Sequence, residues 1–197
     1  MGRPTNDLAL DVQGNIYVTD SFQPQIYKID RATRQVSILV RSARLMPADA
    51  PAAAQGTQPY LNGIVYHPDG YLIAADYTRG LLWKVTLDNA SAISEIRLPQ
   101  RLKGPDGLRL KNAHELVIVQ SYPGRKGGIG NVTLLASSDG WASAHLAAVA
   151  TPPGLMGRPA PRCAMARCGW STPVTPACLP TSLRRREPGR SASSGWR

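Results

Sequence analysis

The chain has 197 residues, of which 23 are Lys or Arg and 13 are Asp or Glu, so its formal net charge is +10. It holds three cysteines, and it has no apolar run of about 18 residues, the length a membrane-spanning helix needs. Within these residues the sequence fits neither a disulfide-rich scaffold nor a membrane-spanning helix, and it predicts no membrane partner.

The first of three similar units begins at Asn6 and reads NDLALDVQGNIYVTD. Its short runs of Val, Ile, Leu and Tyr end at Gly, Asn, Asp or Pro, a pattern that is typical of β-strands. The unit predicts strands near 7–11, 15–20, 25–30 and 35–40. No apolar leader precedes Asn6, and we expect the natural chain to start upstream.

The second unit begins at Asn62 and repeats the first without a gap, as NGIVYHPDGYLIAAD. Both units reach an aspartate fourteen positions later, Asp20 and Asp76, which we interpret as capping groups for the following loop. The second unit predicts strands near 63–67, 71–76, 81–87 and 93–98.

The third unit begins at Asp106 and reads DGLRLKNAHELVIVQ, after which the insertion SYPGRKGGIG delays the next apolar run. It predicts strands near 107–110, 115–120, 131–136 and 141–147. The unit starts lie 56 and 44 residues apart, which is about the size of a propeller blade.

Four antiparallel strands per unit, arranged radially, form a β-propeller. An immunoglobulin-like sandwich also consists of short strands, but it gives no reason for an in-register repeat. The sequence therefore predicts an all-β fold: a partial β-propeller of about three four-stranded blades in residues 1–150. An open arc exposes sheet faces and edges, so we expect low solubility or self-association through the open blade edges.

Residues 151–197 differ in composition from the repeats. From residue 158 onward the chain holds eight Arg against one acid, Glu187, and all three cysteines, Cys163, Cys168 and Cys178. Such a segment buries too little apolar surface to offset its ordering entropy, and we expect a disordered tail. The arginines lack interleaved aromatics and the cysteines lack a nearby histidine, so we predict neither a nucleic-acid partner nor a zinc site.

A shifted reading frame is a second interpretation of this tail. When its codons are shifted by one base, GWSTP at 169–173 can become Val-Val-Asp-Ser, which is close to YVTDS at 17–21. In that case the tail is a frameshifted blade.

The unit heads NDLALDVQGNIYVTDSF, NGIVYHPDGYLIAADY and PDGLRLKNAHELVIV resemble the gluconolactonase/regucalcin (senescence marker protein) family over residues 4–150. The resemblance implies a six-bladed propeller that binds a divalent metal at the mouth of its central channel and hydrolyses a sugar-derived lactone. It also implies that Asn6, Asn62 and Asp106 are metal ligands and that Asp106 is the catalytic base. The family's glutamate ligand, from an earlier blade, has no counterpart here.

Amide and carboxylate oxygens favour Ca²⁺ as the metal, with Zn²⁺, Mn²⁺ or Mg²⁺ as alternatives. Asn-Gly and Asp-Gly are also the commonest tight-turn dipeptides, so the same residues can simply form turns. The propeller can then be a non-catalytic scaffold or binding module, or a truncated product without function. The three histidines, His67, His114 and His145, fall at different repeat positions and are predicted to be surface or turn residues.

Overall fold

A computed structural model describes residues 5–46, 59–88, 92–121 and 130–151 of the chain. The chain divides into two compact units, Met1–Arg158 and Pro159–Arg197, and every described residue belongs to the first. The predicted tail and its frameshift interpretation therefore lie outside the described residues. In the described ranges, no helix is long and apolar enough to cross a membrane.

The described residues form three four-stranded antiparallel sheets, and each sheet takes its strands in chain order. The first blade contains β1 (Thr5–Leu10), β2 (Ile16–Asp20), β3 (Gln25–Ile29) and β4 (Val36–Arg41), followed by a single turn of 3-10 helix, Ala43–Leu45. The second blade contains β5 (Leu61–His67), β6 (Tyr71–Asp76), β7 (Leu81–Thr86) and β8 (Ile93–Glu95). The third blade contains β9 (Pro105–Asn112), β10 (Glu115–Gln120), β11 (Asn131–Ala136) and β12 (His145–Ala150).

The turn between the first two strands is built in the same way in the first two blades. In the first blade, Asp11 Oδ1 accepts hydrogen bonds from the backbone N–H groups of Gln13 and Asn15, each 2.9 Å long. Gly14 follows with φ of 83°, a left-handed conformation in which a side chain would be strained. Gly70, fifty-six positions later, adopts φ of 86° in the turn between β5 and β6. The sequence repeat is therefore also a repeat of turn geometry.

Two buried apolar clusters join the blades. One contains Ala9, Tyr17 and Ile26 of the first blade together with Ile64, Leu72 and Trp83 of the second. The other joins the opposite side of the second blade to the third. The inner strand β5 contacts both β1 and β9, so the first strands of the three blades are neighbours. This is the radial arrangement of a β-propeller, and it confirms the predicted fold.

All twelve predicted strands are present, and the largest error lies at 141–147. The observed strand β12 begins only at His145, because Trp141 occupies a turn with φ of 63°. The carboxylate of Asp139 holds this turn by accepting hydrogen bonds from Ser143 N at 3.0 Å and Ser143 Oγ at 2.7 Å. Trp141 is buried by the packing of the turn, which the sequence pattern could not distinguish from burial in a strand.

The interpretation of two aspartates as loop caps is confirmed. Asp20 Oδ1 accepts hydrogen bonds from the backbone N–H groups of Phe22 and Gln23, each 3.0 Å long. Asp76 Oδ1 accepts the equivalent bond from Arg79 N at 2.9 Å. Each carboxylate therefore terminates the second strand of its blade and orders the loop that follows.

Candidate functional site

The three predicted ligand residues meet at one opening. Asn6, Asn62 and Asp106 are each the second residue of the first strand of their blade, β1, β5 and β9. They line an opening of about 360 Å³ whose walls also include Asp7 and Arg109. Radial repetition places equivalent positions of each blade around one axis, which explains how distant stretches of sequence converge here.

Ser21 orients the side chain of Asn6. Asn6 Nδ2 donates a 2.9 Å hydrogen bond to Ser21 Oγ, and the Ser21 hydroxyl donates a 2.9 Å bond to the carbonyl of Leu61 in the second blade. A hydroxyl has one hydrogen, so Ser21 Oγ must accept from Asn6, and this assigns Nδ2 to that side of the amide. Asn6 Oδ1 then lies on the other side of the amide, where it can act as a ligand.

Asn62 is the most deeply buried of the three, with 5% of its surface exposed. The Thr19 hydroxyl donates a 2.7 Å hydrogen bond to the backbone carbonyl of Asn62 and so links the first two blades. No described residue is hydrogen-bonded to the side-chain amide of Asn62. The amide atoms of Asn62 are not among the buried polar atoms that lack a partner, so they border the opening, where a ligand can bond them.

Asp106 is half-buried and is held by a serine at the corresponding position of its own blade. Its Oδ2 atom accepts a 2.8 Å hydrogen bond from the Ser121 hydroxyl. The hydroxyl of Tyr77 donates a 3.0 Å bond to the Ser121 carbonyl, so the second blade supports this serine. The second carboxylate oxygen, Oδ1, can therefore serve as a ligand or as a base.

The residue that follows Asn6, Asn62 or Asp106 determines how closely the first strands of neighbouring blades approach each other. A Cβ atom on Gly63 would lie 2.0 Å from the carbonyl oxygen of Asp106, so only glycine allows this approach of β5 to β9. The equivalent residue in the first blade is Asp7, whose Oδ2 accepts a 3.2 Å bond from Ile64 N and whose Oδ1 accepts a 2.8 Å bond from Leu8 N. Asp7 adds negative charge to the opening, while backbone amides engage both of its oxygens.

Sequence reasoning missed the residues that orient the predicted ligands. Ser21, Tyr77 and Ser121 each follow the head residue of their blade by fifteen positions. This constant spacing was visible in the repeat, and it marks the residue just after β2, β6 or β10. Two of the three bond the head residue of their own blade, and Tyr77 bonds the next blade.

The chemistry of the donor set fits a hard cation that is weakly held. Among the described residues, no group of three or more His, Cys, Asp or Glu side chains could hold a metal ion. A cation at this opening would instead use two amide oxygens and one carboxylate oxygen, a set that suits Ca²⁺ better than Zn²⁺. Arg109 in the wall adds positive charge, which opposes tight cation binding.

The prediction that the histidines are surface or turn residues is confirmed for His114 and His145, which are exposed. It is wrong for His67, which is 1% exposed and stacks on the Tyr71 ring with centroids 4.2 Å apart. Its Nδ1 accepts from a backbone N–H in the following turn, so Nε2 donates the 2.9 Å bond to the Ala113 carbonyl of the third blade. His67 is a satisfied core residue that joins two blades.

No protein-family model matches this sequence, and no curated protein sequence matches it. Solved structures do resemble it. The major Malassezia sympodialis allergen Mala s 1 aligns with a TM-score of 0.52 at 18% identity, over 77% of this chain and 43% of that one. A catalytically inactive virginiamycin B lyase from Staphylococcus aureus with quinupristin aligns with a TM-score of 0.51 at 14% identity, over 79% of this chain and 44% of that one. The chain thus spans less than half the length of either protein, and at these identities the likeness shows the shared β-propeller fold alone.

Proposed function

We propose that this propeller carries part of the active centre of a divalent-metal-dependent sugar-lactone hydrolase of the gluconolactonase/regucalcin kind. Asn6, Asn62 and Asp106 are the metal ligands in this proposal, and Ca²⁺ is the favoured ion. The observation that carries it is the convergence of three oxygen-bearing side chains, one from each blade, on a single opening. Asn62 borders the same opening, and its side-chain amide, which makes no hydrogen bond to a described residue, can offer its oxygen to a ligand.

The reaction would add water across the ester bond of a lactone. A bound divalent cation supplies Lewis acidity, which makes a lactone carbonyl more electrophilic. Each carboxylate oxygen has two lone pairs, so Asp106 Oδ2 could hold the cation beside the Ser121 bond while Oδ1 accepts a proton from the attacking water as its oxygen adds to the carbonyl carbon. When the ring C–O bond breaks, the same proton passes to the leaving oxygen, and the product is the open-chain hydroxy acid. Ser121 keeps the carboxylate in position through its bond to Oδ2.

A binding propeller without catalysis is the second candidate. Two of the three converging side chains, Asn6 and Asn62, are neutral amides, which can hydrogen-bond sugar hydroxyls without any metal. Backbone N–H groups already bond both carboxylate oxygens of Asp7. Asp106 is then the carboxylate at the opening that can bond a ligand. This arrangement suits recognition of a neutral, hydroxyl-rich ligand.

Calorimetric titration of the full chain with Ca²⁺ tests the proposal, with Asp106→Asn as the site variant and Glu115→Gln as the control. Glu115 lies at the far end of β9 from Asp106, next to the turn that joins β9 to β10. We expect weak binding that Asp106→Asn removes and Glu115→Gln preserves, together with hydrolysis of a sugar δ-lactone that EDTA abolishes. Binding of a sugar ligand without turnover would favour the second candidate, and no binding of metal or sugar would overturn both.

A further inference from the structure

A second cavity lies at the end of the second blade that is remote from the candidate opening. Its volume is about 640 Å³, compared with about 360 Å³ for that opening, and the two share no lining residue. Asn62 stands at the start of β5, whereas Tyr66, which lines the second cavity, stands near its end. At about 3.3 Å per strand residue, these two positions lie about 13 Å apart along β5. We call this separate site the second-blade cavity.

All three blades contribute to the wall of the second-blade cavity. The second blade supplies most of it, through the turn after β5 and the end of β7. The first blade adds Gln13, from the turn between β1 and β2, and the third blade adds Gly140. Apolar clusters pack the second blade against both of its neighbours, so the packing of the blades fixes the shape of this cavity.

Two contacts hold the ammonium group of Lys84 in this wall. Lys84 Nζ donates a 2.6 Å hydrogen bond to the Gly140 carbonyl, and it lies 4.0 Å from the centroid of the Tyr71 ring. The Tyr71 ring also stacks on the buried His67, which keeps the ring in place. An ammonium group has three N–H donors, and the bond to Gly140 uses one of them. Lys84 is thus a positioned donor for a ligand in the cavity.

The repeat shows that Lys84 lacks the carboxylate that its counterpart uses. Lys28 occupies the equivalent position of the first blade, and its Nζ lies 3.9 Å from the carboxylate of Asp30. The residue equivalent to Asp30 in the second blade is Thr86, fifty-six positions later. Within the part of the chain that the structure describes, no carboxylate forms an ion pair with Lys84. The positive charge of Lys84 is therefore directed at the cavity and not at a neighbouring acid.

The other wall residues determine which ligand fits. Asp69 and Asp88 also line the cavity, so its wall combines two carboxylates with one ammonium group. Fixed charges of both signs oppose tight binding of a simple anion and of a simple cation. A hydroxyl group both donates and accepts hydrogen bonds, so it can pair with either kind of wall group. Tyr66 and Leu87 are half-buried in the same wall and offer apolar surface to the carbon skeleton of a ligand.

We propose that the second-blade cavity binds a neutral, hydroxyl-rich small molecule of the sugar class. Lys84 donates a hydrogen bond to one ligand oxygen, Asp69 accepts one from another ligand hydroxyl, and the carbon skeleton packs on Tyr66. A ligand bound here leaves the candidate opening accessible, because the two sites lie at opposite ends of β5. The proposal is independent of metal binding and of lactone hydrolysis.

Saturation-transfer NMR and calorimetric titration of the full chain test this proposal. The probes are D-glucose, D-galactose, D-mannose and N-acetyl-D-glucosamine, together with the charged analogues D-gluconate and D-glucosamine. We expect binding of a neutral sugar and weaker binding of both charged analogues, because each of them meets a wall group of its own sign.

Variants locate the bound sugar. Lys84→Met removes a charged donor and should lower the affinity by about tenfold, and Asp69→Asn should lower it by about fivefold. Lys28→Met is the matched control, because it removes the equivalent lysine of the first blade and should bind the sugar as wild type does. Far-UV circular dichroism checks that the variants fold. The Asp69 side chain is 71% exposed, so Asp69→Asn keeps the test available if Lys84→Met does not fold.

Asp106→Asn separates this site from the candidate opening. We expect this variant to bind the sugar with wild-type affinity, and we expect Lys84→Met to leave Ca²⁺ binding unchanged. A loss of sugar binding in Asp106→Asn alone would place the sugar at the candidate opening and overturn the proposal.

Three further results would overturn it. Equal sugar affinities of Lys84→Met, Asp69→Asn and wild type would show that the sugar does not contact this wall. Tighter binding of D-gluconate than of every neutral sugar would show that the cavity takes an anion. Failure of every neutral sugar to bind would show that the cavity does not recognise this class of ligand.

Discussion

Ser121 donates a 2.8 Å hydrogen bond to Asp106, and Ser21 accepts a 2.9 Å bond from Asn6 at the same sequence spacing of fifteen residues. In both blades a hydroxyl at the end of the second strand fixes the polar side chain at the head of the first. The repeat thus supplies both a candidate ligand and the group that orients it. A side chain that is pre-oriented in this way loses less conformational freedom when a ligand binds.

Replacing Ser121 by Ala should weaken Ca²⁺ binding without unfolding the blade. The Ser121 bond already exists without a ligand, so its loss acts through the freedom that Asp106 must then give up on binding, about 0.5–1.5 kcal/mol, and we expect the affinity to fall by about two- to tenfold. Calorimetric titration measures this change. Ser94→Ala is the matched control, because Ser94 is exposed on β8 in a different part of the second blade. Equal affinities for Ser121→Ala and wild type would show that Ser121 does not orient a ligand.

Two glycines at the same repeat position should respond differently to alanine. The added Cβ of Gly63→Ala would collide with the Asp106 carbonyl, and overpacking of this kind costs about 1–3 kcal/mol. A Cβ on Gly107 meets no atom within 4 Å, so Gly107→Ala should leave the free energy of unfolding unchanged or raise it by up to about 1 kcal/mol. The gain would arise because alanine lowers the conformational entropy of the unfolded chain. Urea denaturation of both variants measures the difference. Similar losses in the two would show that β5 and β9 can separate at little cost.

The repeat made the fold predictable, because the spacing of turn residues and the period of apolar runs are local signals. It also placed Asn6, Asn62 and Asp106 in equivalent positions, and radial symmetry then required them to lie near each other. The error at Trp141 arose where a buried side chain belongs to a turn. Burial alone does not distinguish a residue of a strand from a residue of a turn. The hydrogen bonds of Asp139 that form the turn are not visible in the hydropathy of the sequence.

The role of His67 was not predictable from the sequence for a different reason. Its partner is the carbonyl of Ala113, forty-six residues away on the next blade, and a backbone acceptor carries no side-chain signature. The same holds for the Thr19 hydroxyl, which bonds the Asn62 carbonyl. Contacts between blades that use backbone groups depend on the distance between sheets, which becomes visible only after the blades are assembled.

Removing the His67 ring should destabilise the junction between the second and third blades. His67→Ala deletes a buried ring that stacks on Tyr71 and removes one donor to the Ala113 carbonyl. Large-to-small changes in a core cost about 2–5 kcal/mol, and we expect a loss in that range. His145→Ala is the control, because His145 is exposed and surface substitutions change stability by about 0.5 kcal/mol or less. Thermal denaturation followed by circular dichroism compares the two. Equal midpoints would show that His67 does not hold the blades together.

Acidification should weaken the turn that precedes β12. Hydrogen bonds from the Ser143 hydroxyl and backbone lower the pKa of Asp139 from 3.8 to about 2. Because the pKa of the folded state is the lower one, the unfolded chain takes up a proton first as the pH falls below 3.8. The stability that this carboxylate contributes is therefore complete above that pH, and it is lost between pH 3.8 and about pH 2.

Asp139→Asn tests this dependence in thermal unfolding followed from neutral pH down to about pH 2. We expect the variant to be less stable than wild type at neutral pH, with the difference shrinking as the pH falls through the window. Glu95→Gln, at an exposed residue of β8, serves as the control for the removal of one surface carboxylate elsewhere in the protein. A difference between Asp139→Asn and wild type that stays constant with pH would mean that the turn depends on the shape of the side chain and not on its charge.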